Sequence, residues 1–124
     1  MTKTSETYIS FYLRANRIHV FIDSLRGLGS PKRVCFLMDD NGNTLVLIPY
    51  GKRDLVSHKV PEEAYIGSKD MEISSKKLCR LLAALHKWDT ECSYRVPGII
   101  LSNRRMVKYD LTKAQSINSK PITI

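Results

Sequence analysis

The sequence is short of acid, of pairable cysteine and of anything that reads as a catalytic signature. Its 124 residues hold 12 acidic side chains against 20 lysines and arginines, a formal net charge of +8. Such a chain attracts polyanions. Its three cysteines, Cys35, Cys79 and Cys92, are an odd number without CxxC spacing. That argues against a disulfide framework and for a reducing compartment, the cytoplasm. No apolar run approaches the ~18 residues of a membrane span. The opening Met-Thr-Lys-Thr-Ser-Glu has no apolar stretch, so no secretory leader and no membrane partner are expected. GxSxG, Walker and GxGxxG patterns are all missing. His19, His58 and His86 form no HExxH or other ligand pair, and Cys79 and His86 stand two helical turns apart, too far for one metal without a third element. The expectation is therefore a non-enzymatic protein with no cofactor and no metal.

What is present is an ordinary folded composition, 43% hydrophobic and 26% charged, in a length that suits one domain, residues 1–124. One stretch, Ile73 to Trp88, has a strong helical period. Leu78, Leu81, Leu82, Leu85 and Trp88 recur at i, i+3, i+4, i+7 and i+10 and predict one buried face. Ser74 or Ser75 supplies the N-cap. Opposite that face, Lys76, Arg80 and Lys87 lie within about 40° of one line.

Around this helix the pattern alternates at period two. Tyr8 to Leu13 and Arg17 to Ile22 read as strands, followed by a short helix opened by Asp23 and closed at Gly29 and Pro31. Gly27, Gly29, Ser30 and Lys32 could offer amides to a phosphate; a helix C-terminus explains the same glycines. Val34 to Met38 and Leu45 to Tyr50 flank Asp39-Asp40-Asn41-Gly42-Asn43, strong hairpin chemistry. Ser57 to Val60 reads as an edge strand and Glu62 to Tyr65 as a helical turn. Met71 to Ile73 leads into the main helix. Tyr94 to Leu101 is interrupted at Pro97-Gly98, and Met106 to Leu111 alternates. Residues 1–7 and 112–124 read as polar tails. The order strand, helix, strand, turn, strand occurs twice, over about 18–50 and 71–111. The expected fold is α+β: two βαββ-type halves forming a mainly antiparallel sheet, with one long and one short helix on one face.

Two surface features stand out in this reading. One is the basic stripe Lys76, Arg80, Lys87, whose first-turn lysines oppose the helix macrodipole. The other is the strand face of Tyr8, Tyr12, Arg14, Arg17, His19 and Phe21, a mixture used both for base stacking and for protein contact. The nucleic-acid candidates are Lys76, Arg80, Lys87, Arg14, Arg17 and Tyr12. The strands 34–38 and 45–50 are apolar on both faces, where a sheet with helices on one side alternates; a second copy covering them gives the alternative, a homodimer or interaction module without nucleic acid. A winged-helix arrangement lacks two of the helices it needs.

The element order over residues 18–111 resembles the plan of DNA sliding-clamp domains, without a shared motif. Separately, Leu25-Arg26-Gly27-Leu28-Gly29-Ser30-Pro31-Lys32, Leu47-Ile48-Pro49-Tyr50 and Ser93-Tyr94-Arg95-Val96 resemble segments of a family of small clostridial (Firmicutes) proteins. That resemblance implies a cytoplasmic bacterial protein and carries no activity with it.

Overall fold

Alternation of buried and exposed side chains decides the first pair of strands. In the computed structural model, which describes residues 4–52, 54 and 56–117, strand β1 spans Thr4–Tyr12 and β2 spans Arg17–Val20. Ile9, Phe11, Ile18 and Val20 point inward with no exposed surface. A 3-10 turn, Leu13–Ala15, joins them and ends on Asn16 at φ 53°, a left-handed position that asparagine tolerates. Helix α1, Ile22–Gly27, starts one residue before Asp23. Its first amide is capped at long range, Ile22 N donating to the Asp70 carboxylate at 2.9 Å.

Strands β3, Arg33–Met38, and β4, Thr44–Pro49, form the expected hairpin. Asp39 Oδ1 accepts from the amides of Asn43 and Thr44, both at 2.9 Å, and Gly42 takes φ 71°. Strand β5 is Ser57–Lys59, helix α2 Glu62–Ile66 and strand β6 Met71–Ser74. Helix α3, Lys76–His86, is capped by Ser75, whose hydroxyl accepts from Leu78 N at 3.2 Å. Strands β7, Ser93–Leu101, and β8, Met106–Asp110, follow, then a 3-10 turn, Leu111–Lys113, and the short β9, Gln115–Ser116.

The strands form one antiparallel sheet in the order β5-β3-β4-β8-β7-β1-β2-β6, with β9 also on β7, curling into a nearly closed barrel. This corrects the expected pair of βαββ halves sharing a sheet under one long and one short helix. The reason is β1. Its residues outside the supposed repeat pair with β7 along nine positions, Thr4 with Leu101 through Tyr12 with Ser93, and place β1 between β7 and β2. The supposed polar tail from residue 1 thus contributes the first rungs of a central strand, and the tail from 112 contributes β9. The likeness to sliding-clamp domains rested on the two halves and goes with them.

The helices pack against the inner face of the curled sheet, in one core cluster with the inward strand residues. Ser24 of α1 lies wholly buried: Tyr109 Oη donates to its Oγ at 2.8 Å, and Thr7 Oγ1 is 2.9 Å away. Three buried hydroxyls thereby satisfy one another, which removes most of the cost of burying them. Pro97-Gly98 does not break β7. Residues 96 and 97 fall between the rungs to β8 and those to β9, where a missing N–H costs no ladder bond. At Gly98 a Cβ would stand 2.5 Å from the Tyr109 ring, so glycine is what lets that ring lie on the strand.

Helix α3 is rotated from its expected setting. Cys79, Leu82 and Ala83 are buried, whereas Leu81 is 43% and Leu85 50% exposed. The buried arc is displaced by about 100°, roughly one residue, from the leucine stripe. Small residues meet the sheet closely and two leucines are left outside. The C-terminal end is anchored by Trp88, 5.6 Å from Phe11 and stacked between His86 at 5.5 Å and Tyr94 at 4.9 Å.

Candidate nucleic-acid interface

The six residues singled out from the sequence divide between the outer face of the sheet and helix α3, which meet where Arg17 pairs with Ser74 and Ser75 N donates to the Asn16 carbonyl at 3.0 Å. Tyr12 and Arg17 face outward from the sheet, directly across from each other in the β1–β2 register. Helix α3 packs on the opposite, inner face, where Phe11 and Ile18 point. Arg14 lies on the 3-10 turn at the rim between the two.

On the outer face the alternation brings together the residues it should. Tyr8, Ser10 and Tyr12 of β1 stand beside Arg17 and His19 of β2, with Phe21 next in line, and Arg95 of β7 lies across from Ser10. Yet these groups have mostly engaged each other. Arg17 donates to Glu72 at 2.8 Å, and His19 Nε2 is 3.3 Å from the same oxygen. The Arg95 guanidinium sits 5.4 Å from the centre of the Phe21 ring, which also packs with Tyr8 at 6.0 Å. Tyr12 packs edge-on to His19 at 4.7 Å. The Arg17 hydrogen bond, and after it the one from His19, hold the Glu72 carboxyl below its ordinary range. Arg14 is likewise spoken for, 3.4 Å from Glu91.

The solvent side of α3 is different. It carries Lys76, Lys77 and Arg80, all exposed, on a helix without a single acidic residue. Among the described residues none of them, nor Lys87, has an ion-pair partner. Lys87 stands apart from the expected line: the helix ends at His86, and Lys87 is the left-handed cap at φ 54°. Lys77, absent from the sequence-level candidates, belongs with Lys76 and Arg80; its place in the first helical turn was the available signal. Leu81 and Leu85 border the basic residues, and His86 Nε2 donates to the Gly42 carbonyl at 2.7 Å, tying this end of the helix to the β3–β4 hairpin.

Further round the barrel, outward residues of β3, β4, β8 and β7 make an uncovered apolar area. In register, Leu37 stands beside Val46, Val46 beside Lys108 and Lys108 beside Ile99. Leu37 is 50% and Ile99 49% exposed, and Val46 is partly so. Leu47, by contrast, points into the core with no exposed surface.

Cys35 and Cys79 are buried, and burial pushes the Cys79 thiol up to about 11, away from reactivity. Among the described residues no three histidine, cysteine or acidic side chains come together as a metal site, and no helix is long and apolar enough to cross a membrane. The chain matches no protein-family model, no curated protein and no solved structure.

Proposed function

We propose that the protein is a non-enzymatic, cytoplasmic nucleic-acid-binding protein that meets phosphates through the solvent side of α3. The observation that carries this reading is a helix face of three cations, on a helix without acids and without ion-pair partners among the described residues, with a fourth cation at its C-terminal cap. Lys76 and Lys77 oppose the macrodipole, and each costs a few tenths of a kcal/mol in an isolated helix. A surface kept at that cost suits an anionic partner. Lys76 to Lys87 spans about 16 Å at helical rise, roughly the length of five base-pair steps.

The test is binding of short single- and double-stranded DNA and RNA as salt is raised. Each duplex phosphate neutralised contributes about −0.9 to the slope of log K against log salt. Replacing Lys76, Arg80 and Lys87 together by Gln is expected to lower affinity and to shrink the slope by up to about three units. The melting temperature should hardly move, because exposed charges contribute little to stability. A parent that binds none of the four at about 0.1 M salt, or a variant with the parent's slope, removes the reading.

A second reading, self-association, is favoured by the apolar outer area around Leu37, Val46 and Ile99. Val46→Glu would then yield a folded monomer from a dimer, whereas Leu47→Glu would unfold the chain by burying a charge. Sedimentation of the parent as a 14.2 kDa species at micromolar concentration would exclude it.

A further inference from the structure

Three strand ends meet at one corner of the barrel. The start of β3 lies between the end of β4 and the end of β5, with Val34 across from Pro49 and Arg33 across from Lys59. They enclose an open cleft of about 590 Å³, within the range of small-ligand pockets.

Its walls are of two kinds. Pro31, Pro49 and the Tyr50 ring make flat, mostly apolar sides, and buried Val60 lies beneath. Lys32, Arg33 and Lys59 line the same cleft, against one acid, Glu62. Flat apolar walls with an excess of cations suit a planar ring carrying an anionic group.

The walls are also fixed in advance. Arg33 Nε donates to Ser57 Oγ at 2.9 Å, and Tyr50 Oη to Asp54 at 2.7 Å. The Tyr65 hydroxyl donates to the Pro31 carbonyl, and Val60 N to the Lys32 carbonyl at 2.8 Å. Each of the first three partners lies outside the cleft lining, so the bonds position the walls without filling the space. A site held this way loses little entropy on binding.

We propose that this cleft binds a free nucleoside monophosphate, the base against Tyr50 and the prolines, the phosphate between Lys32 and Lys59. The site is separate from α3 and stands or falls without it.

The experiment is a titration of the full chain, followed by amide NMR shifts, with AMP, GMP, CMP, UMP, their nucleosides, inorganic phosphate and a short oligonucleotide. At least one nucleotide is expected to shift the amides of residues 32, 33, 50 and 51 at about 1 mM or below, and to bind about tenfold more tightly than phosphate or the free nucleoside. The Lys32→Gln, Lys59→Gln variant should weaken it about tenfold or more. Tyr50→Phe keeps the ring but loses the bond to Asp54 that holds it, so it should weaken binding only about twofold to threefold, whereas Tyr50→Leu should lose it. The variant with Lys76, Arg80 and Lys87 replaced by Gln should bind the nucleotide as the parent does. The proposal is overturned if no nucleotide shifts this corner, if phosphate alone binds as well, or if the Lys32, Lys59 variant, melting like the parent, titrates unchanged. Shifts that appear with an oligonucleotide but with no mononucleotide overturn it in favour of a polymer contact.

Discussion

Helix α3 and the outer face of β1 and β2 both set basic groups in solvent, and they differ in what those groups already touch. On the sheet, Arg17 is bound to Glu72, Arg95 lies over Phe21, and Tyr12 packs on His19. On the helix, Lys76, Lys77 and Arg80 meet no acid among the described residues. The two faces look alike as lists of residue types. A cation that must leave a carboxylate before it can meet a phosphate gives back much of what the phosphate contributes. The helix therefore has the stronger claim to a polyanion, and the sheet face reads as a self-contained surface.

That comparison depends on which side of α3 faces water, and the largest expected effect tests it. Leu82→Ala should destabilise by about 2–5 kcal/mol, from lost burial and the cavity left behind. Leu81→Ala and Leu85→Ala should each cost less than about 1 kcal/mol. Denaturant unfolding of the three variants decides. Similar large losses at positions 81 and 85 would turn the helix back onto its leucine stripe and carry its basic residues toward the sheet.

The next effect is on binding and could break the comparison outright. Were the sheet face a stacking platform, Tyr8→Ala and Tyr12→Ala would each cost about 1–3 kcal/mol of affinity for a single strand. With those rings committed to Phe21 and His19, the expected loss is below about twofold, or ~0.4 kcal/mol. Filter binding of a labelled single strand, parent against the double variant, measures it. A tenfold loss would move the interface from the helix to the sheet.

Local chemistry was legible in the sequence, and partnership was not. The turn at Asp39 to Asn43, the Ser75 cap and the alternation of Ile9, Phe11, Ile18 and Val20 each depend on neighbours in the chain, and each could be read directly. β1 pairs with its neighbour β2 on one side, but its other partner, β7, lies about ninety residues away, and no local pattern names it. Asp23 looked like the cap of α1, while Asp70 does that work from another strand end. The rotation of α3 follows from Cys79 and Ala83 being small enough to sit close against the sheet, a packing preference that hydrophobicity alone ranks below leucine. The charged candidates failed to converge for a related reason. Period-two and period-3.6 patterns assign residues to faces of their own elements, and only the layering of helix on sheet shows that Tyr12 and Lys76 lie on opposite sides.

The smallest expected effect is a pH dependence on the sheet face. Arg17 and His19 hold the Glu72 carboxyl below its usual 4.5, and the groups are exposed or nearly so. The folded protein therefore binds a proton at Glu72 less readily than the unfolded chain does. By linkage the stabilisation is complete above the unfolded value and is lost as pH falls through the folded one. Glu72→Gln removes this contribution, so its melting temperature should fall less steeply than the parent's below about pH 4.5. Raising salt should narrow the difference between the two, because exposed pairs are screened. Melting curves at several pH values between neutrality and strong acid provide the check. Parallel acid limbs for parent and variant would mean that the Arg17–Glu72–His19 cluster is not held in solution, and that Arg17 is as available to a phosphate as the cations of α3.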